Sequence, residues 1–267
     1  MSDAVAGNLW AQRTADHALL LAAVREAGAV AKRFFDGTVK HWEKAPDNPV
    51  SEADYAVDAL LIERLRGARP DYGWLSEETE DDSSRLSAAR VFVVDPIDGT
   101  RAFLKKQPEF TVVAALVEAG RPVIGVVYNP ASDEMFEAMA GSGARLNGAP
   151  IQCSTVRSIM GARLLSSART FRGKNWGEAA NGAIFRFVNS MAYRLALVAS
   201  GKFDATVTLT PKADWDLAAA HVIVNEAGGK ISTLAGDELL YNRPDVLHPN
   251  VVAAGPGLHA QLVAGLS

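Results

Sequence analysis

The apolar run Val91-Phe92-Val93-Val94 leads straight into Asp95-Pro96-Ile97-Asp98-Gly99-Thr100. Such a run, bounded by turn formers, reads as a strand buried on both faces, and that demands a sheet covered by other layers. Proline has no N–H for a ladder and is expected to halt this strand at Asp95. The strand therefore delivers one carboxylate at its end. A second carboxylate follows three residues on, then a glycine and a hydroxyl. Strand ends in α/β sheets are where ligands sit. Glycine lets backbone approach a ligand, and the amides after it can face an anion. Carboxylates with backbone carbonyls are hard oxygen donors, which suit Mg²⁺ rather than zinc. The plain alternative is an Asx turn at Asp98-Gly99. The EF-hand pattern Asp-x-[Asp/Asn]-x-[Asp/Asn]-Gly is not met.

Helical and strand periods alternate around this strand. Residues 9–35 read as a long amphipathic helix, with Leu20, Ala23, Val24, Ala27, Val30, Ala31 and Phe34 on one face and Asp36-Gly37 as its stop. Residues 52–66 read as a second helix burying Ala53, Val57, Leu60, Leu61 and Leu65. Between them, Lys44-Ala45-Pro46-Asp47-Asn48-Pro49 reads as a loop with two prolines. Residues 110–117 and 122–128 are expected to pair as a hairpin, followed by a strand at 135–139 and the turn Gly141-Ser142-Gly143. Further on come strands at 162–166, 205–209 and 251–254. Helices are expected at 190–199, at 217–227 (closed by Gly228-Gly229) and at 258–266. The class is mixed α/β, with helices covering sheets. In 267 residues this means one large domain or two closely packed halves, 1–150 and 151–267.

Composition narrows the function. Lys+Arg is 27 against 31 for Asp+Glu, a net charge of −4 that leaves no electrostatic footprint for nucleic acid or an anionic membrane. Cys153 is the one cysteine, so an intrachain disulfide is impossible and a cysteine-built metal centre implausible. It is most simply a small apolar residue. The apolar run Leu19 to Val24 is too short for a membrane span and lacks the basic segment of a signal peptide, which favours the cytoplasm. His17, His41, His221, His248 and His259 form no ligand spacing and read as surface or helix residues. No nucleophile elbow or P-loop occurs.

Three further acidic sites stand out. Glu77-Glu78 follows the apolar piece Trp74-Leu75-Ser76; adjacent carboxylates point to opposite sides of an extended chain, so one at most can serve a given ion. A solvated acidic loop is the alternative, since Glu80, Asp81 and Asp82 follow. Ser51-Glu52-Ala53-Asp54 has capping-box spacing, with Asp54 in the place usually held by Glu or Gln. Asp54 is either a charge at a helix start or a group that orients a nucleophile. Asp216, after Trp215, precedes an apolar helix and reads either as its N-cap or as a ligand.

Together these pieces resemble the inositol monophosphatase-like superfamily of metal-dependent, lithium-sensitive phosphatases. The resemblance rests on Pro49 to Asp54, Leu75 to Glu78, Asp95 to Thr100, and Trp215-Asp216-Leu217-Ala218-Ala219 running into Glu226-Ala227-Gly228-Gly229. It implies an αβαβα layered fold. It further implies Glu77, Asp95, Asp98 and Asp216 as carboxylate ligands of two or three Mg²⁺ ions, with the Ile97 carbonyl as another ligand. Thr100 with Asp54 would activate a metal-bound water, and Glu77 would belong to the same catalytic group. The Gly99 and Thr100 amides would hold the phosphate, beside Ile97, Asp98 and Asp216. The N-terminal half would carry most ligands, and the C-terminal half Asp216 and the substrate-selecting elements.

The implied reaction is in-line hydrolysis of a small phosphorylated metabolite without a covalent intermediate. Arg101-Ala102-Phe103-Leu104, Glu109-Phe110-Thr111-Val112 and Leu240 to Asp245 look closer to the 3'(2'),5'-bisphosphate nucleotidase branch. Arg194 stands where that branch often has a basic residue and could meet a second phosphate. Adenosine 3',5'-bisphosphate is therefore the expected substrate, with inositol-1-phosphate or another sugar or histidinol phosphate as alternative. A silent regulatory protein of the same fold is the non-enzyme reading. Ser76 departs from the glycine common in inositol-type members, and residues 166–189 match neither branch. The superfamily includes monomers and dimers, so a homodimer is compatible with the sequence.

Overall fold

A computed structural model of the chain describes residues 3–171, 180 and 182–266. Helix α1 spans Asp3–Asp36 and buries Leu20, Ala23, Val24, Ala27 and Ala31 completely. The segment read as a proline loop is instead a hairpin, β1 (His41–Ala45) with β2 (Asn48–Ser51). Both strands are edges of a two-stranded ribbon, where a proline costs no central ladder bond, and Asp47 takes the positive φ of the turn. Helix α2 (Glu52–Leu61) runs on into a π-helical turn, Ile62–Arg66.

A seven-stranded sheet follows: β3 (Gly73–Ser76), β4 (Arg90–Asp98), β5 (Thr111–Glu118), β6 (Arg121–Asn129), β7 (Glu134–Met139), β8 (Ala144–Leu146) and β9 (Ala149–Pro150), with spatial order equal to chain order. Only β3–β4 is parallel. The short helix α3 (Thr100–Leu104) interrupts between β4 and β5.

The second sheet has the order β11-β10-β12-β16-β14. Its strands are β10 (Arg163–Leu165), β11 (Ile184–Arg186), β12 (Ala205–Thr208), β14 (Lys230–Ser232) and β16 (Val251–Ala254). Helices α4 (Met191–Ala199) and α5 (Asp214–Glu226) lie in this half, as do the two-residue strands β13 (Lys212–Ala213) and β15 (Leu247–His248), which pair with each other. Helix α6 (Pro256–Leu266) ends the chain.

The period-two alternation of the strands assembles the layers. Phe92, Val94, Val112, Ala114, Leu116, Ile124 and Val126 face α1 and α2. Their neighbours Val91, Val93, Val113, Ala115 and Val117 face α4 and α5 on the other side, in one cluster with Leu165, Val251 and Ala253 of the second sheet. The far face of that sheet, Leu164, Ala205, Val207, Val252 and Ala254, packs on Leu258 and Leu262 of α6. This is an αβαβα sandwich. Its middle cluster draws on both sides of residue 150. None of the described helices is long and apolar enough to cross a membrane.

Two corrections bear on the site. β4 does not stop before the proline but continues to Asp98, because a β-bulge lets Pro96 pass: Asp95 pairs with Val113 and Asp98 with Thr111, leaving one extra residue on β4. Helix α5 begins at Asp214, so Asp216 lies inside its first turn and the N-cap position falls to Ala213.

Gly125 sets how closely α5 approaches the large sheet. A Cβ there would lie 2.1 Å from the carbonyl oxygen of Ala219 on α5. Gly125→Ala must push the helix off β6 and should destabilise the protein by about 1–3 kcal/mol, read from urea denaturation. An unchanged midpoint would mean that α5 is not seated there.

Candidate functional site

The bulge turns the end of β4 so that Asp95 and Asp98 both reach one corner of a cleft of about 490 Å³. Asp216 enters the same corner from the first turn of α5, held by the Ala213 amide donating to its Oδ2 at 2.8 Å. One carboxylate oxygen from each of the three lies within 4.8 Å of the others. Asp98 is further fixed by the start of α4. The Ser190 hydroxyl (2.7 Å) and the Ala192 amide (2.6 Å) donate to its Oδ2, and the Met191 amide (3.1 Å) to its Oδ1. Ser190 is itself braced against Thr111 Oγ1 at 3.0 Å.

Glu77 extends from the end of β3, its amide donating to Val94 O beside Asp95. It lines the same cleft but stands outside the tight group of three. Its neighbour Glu78 turns away, nearly buried, and accepts from Lys44 on β1 at 2.6 Å. Lys44 also lies 3.5 Å from Glu77. The pair thus splits between cleft and interior rather than forming a solvated acidic loop.

Gathering these groups out of water raises their pKa values. Burial, opposed by Lys44 and reinforced by Glu78, Asp216 and Asp54, lifts Glu77 to about 7. Burial and then Asp216 lift Asp98 to about 6, against the opposing hydrogen bonds from Ser190 and α4. Asp95 is raised well above the ordinary range by burial, then by Glu77, Asp98 and Asp216. Asp216 is raised by burial. Asp95 Oδ1 is buried with no hydrogen-bond donor. An orphaned oxygen in an all-oxygen acidic corner is what a hard divalent cation would satisfy, so these residues fit Mg²⁺.

Beside the corner, Thr100 Oγ1 donates to Ile97 O at 3.0 Å and toward Asp54 Oδ1 at 3.3 Å. Asp54 closes its capping box despite being one carbon shorter than Glu: the Ser51 amide (2.8 Å) and hydroxyl (2.6 Å) both donate to Oδ2. Burial, opposed by these bonds, raises the Asp54 pKa. Gly99 takes φ 97° at the turn into α3, and a Cβ there would lie 2.9 Å from Glu109 O, so only glycine fits.

The cleft is also lined by Arg194 of α4, 8% exposed. Its Nε donates to Val188 O, and its guanidinium sits 4.5 Å from the Phe187 ring centroid. Burial lowers its pKa, opposed by Asp98 and Asp216. Lys212 also lines the cleft.

The residues singled out in the sequence therefore meet: Asp54, Glu77, Asp95, Ile97, Asp98, Gly99, Thr100, Arg194 and Asp216. Sequence reasoning missed Lys44, Ser190 and Phe187. Ser190 carried a signal, a serine directly before an apolar helix, but nothing local tied it to Asp98. Of the histidines read as surface or helix residues, His221, His248 and His259 are buried, and His248 lies on β15. Residues 172–179 and 181, within the stretch 166–189 that matches neither branch, lie outside the described residues.

A sequence profile of the inositol monophosphatase family matches residues 12–267. The chain belongs to that family. It is 32% identical over 257 residues to Nus factor SuhB of Escherichia coli K12, across 91% of this chain and 92% of that protein. It is 34% identical over 228 residues to inositol monophosphatase 3 of Solanum lycopersicum, across 81% and 85%. The crystal structure of extragenic suppressor protein SuhB from Bartonella henselae matches with a TM-score of 0.82 at 28% identity, covering 95% of this chain and 98% of that one. These relatives are SuhB proteins and inositol monophosphatases, not bisphosphate nucleotidases, so they favour the alternative substrate reading over the expected one.

The raised Glu77 pKa has a defined sign. The folded chain binds that proton more tightly than the unfolded chain, so metal-free stability is lost as pH rises from about 4.5 to about 7. In EDTA, Glu77→Gln should melt above wild type near pH ~8, with the gap closing toward pH ~5. Melting curves across pH check this, and a gap independent of pH would contradict it.

Proposed function

We propose that this chain is a Mg²⁺-dependent phosphomonoesterase acting on a small phosphorylated metabolite. The observation that carries the reading is the convergence of Asp95, Asp98 and Asp216, with the orphaned Asp95 Oδ1, beside the Thr100–Asp54 pair. Glu77, Asp95, Asp98, Asp216 and the Ile97 carbonyl would hold two or three Mg²⁺ ions. Bound there, Mg²⁺ supplies charge neutralisation for the phosphate and leaving oxygen and lowers the pKa of water.

The chain's own groups do the rest. Thr100 Oγ1 accepts the proton of an attacking water and passes its own to Asp54 Oδ1. Asp54 Oδ2 is already engaged by Ser51, so the proton has one destination. The buried Asp54 is a stronger base than a solvated carboxylate. Glu77 lines the same cleft. The Gly99 and Thr100 amides receive the phosphate, which carries about two negative charges.

Within this class, the relatives support an inositol-type polyol monophosphate as substrate. Arg194 supports a second reading, an ester with a further phosphate such as a bisphosphorylated nucleotide. Its guanidinium is buried on the cleft wall against an aromatic ring, a setting that fits a second anion. The SuhB relatives leave room for a regulatory role, but the complete donor set supports turnover.

Activity should vanish in EDTA and return with Mg²⁺, and full activity in EDTA would overturn the reading. Asp98→Asn should abolish turnover while circular dichroism stays unchanged; wild-type kcat in that variant would remove Asp98 from the ligand set. Comparing kcat/KM for inositol-1-phosphate and adenosine 3',5'-bisphosphate decides the substrate. Arg194→Ala should raise KM for the bisphosphate more than for the monophosphate if the second reading is right.

A further inference from the structure

Residues 240–248 form a strap joining the start of α5 to the segment that follows Glu77. Asp214, the first residue of α5, is fully buried and lies two positions before Asp216. Its Oδ1 accepts from His248 Nε2 at 2.8 Å, and its Oδ2 from the Asn242 amide at 2.8 Å. The Asp214 amide donates to Val246 O at 2.9 Å. Immediately before it, Lys212 pairs with His248 and Ala213 with Leu247. The start of α5 is thus clamped through backbone and side chain alike.

The strap's other end grips the segment after Glu77. Arg85, 1% exposed, donates Nη1 to Asn242 Oδ1 (2.8 Å) and both Nη atoms to Arg243 O (3.2 Å), while Asn242 Nδ2 returns a bond to Arg85 O. The same guanidinium holds Asp81, four residues past Glu77. Tyr241 packs between the rings of His248 and His221, its hydroxyl 2.8 Å from His221 Nδ1 on α5. Apart from Lys212, none of these groups lines the cleft.

Asp216 comes from a different half of the chain than Asp95 and Asp98, and like charges oppose its approach. Something must fix the rotation and axial position of α5 against that repulsion. We propose that His248, through Asp214 and with Asn242 and Arg85, is a positioning residue that sets Asp216 against Asp95 and Asp98 and so sets the affinity of the site for Mg²⁺. This rests on the metal-site reading above. Loss of groups that orient ligands generally costs roughly 10–100-fold in metal affinity.

The test is Mg²⁺ binding by isothermal titration calorimetry without substrate, alongside melting curves of the metal-free proteins. His248→Leu should weaken Mg²⁺ binding about tenfold or more. His248→Gln, whose amide N–H reaches near the place of Nε2, should stay within about twofold of wild type. Asn242→Gly keeps the amide bond to Asp214 and the φ of 54° but severs Arg85, and should weaken binding several-fold. If His248→Leu does not fold, the Gln and Gly variants decide. Wild-type affinity in Asn242→Gly, or lowered melting temperatures without a change in affinity, overturns the proposal. A wild-type protein that takes up no Mg²⁺ overturns the metal-site reading itself.

Discussion

Acidic side chains crowded into one buried corner repel one another, and that repulsion governs the architecture around them. Asp95, Asp98 and Asp216 bring ligand atoms within 4.8 Å of one another. Each is therefore held by something stiffer than itself. Asp95 sits on a central strand, Asp98 on a bulge and a helix start, and Asp216 on a helix pressed against β6 at Gly125. Burial and then the neighbouring carboxylates raise the Asp95 pKa, and one of its oxygens has no donor. Buried carboxylates gathered this closely form a setting that a small, highly charged cation would relieve.

Much of this was legible in the sequence because it is local. The strand-to-carboxylate junction at Val94-Asp95, the glycine at 99 and the apolar face of α5 carry their own signals. The layered fold follows from strands whose alternate residues are apolar on both faces, as in Val91 to Val94. What stayed hidden is non-local. The Asp98–Ser190 bond spans 92 residues, and no pattern on either side announces it. Lys44 could not be placed while its segment read as a loop; a two-stranded ribbon tolerates prolines that a central strand would not.

Proline misled at Pro96 for a related reason. Its missing N–H forbids a regular ladder, but a bulge leaves one residue unpaired anyway, so the strand can absorb it. Breaking the pairing there frees the backbone that re-aims Asp98. The buried histidines show the same limit of local reasoning. His248 and His221 serve a hydrogen-bond network assembled from three separated segments, which scattered sequence positions cannot disclose.

Asp98 has one more implication. Both of its oxygens are already taken by the opening turn of α4, and that helix carries Arg194 a single turn further along. The acidic corner and the cationic wall of the cleft therefore share one rigid joint. A drift of α4 that widened the cleft would tear its first amides from the carboxylate, so the width of the cleft is pinned at one end by Asp98 itself.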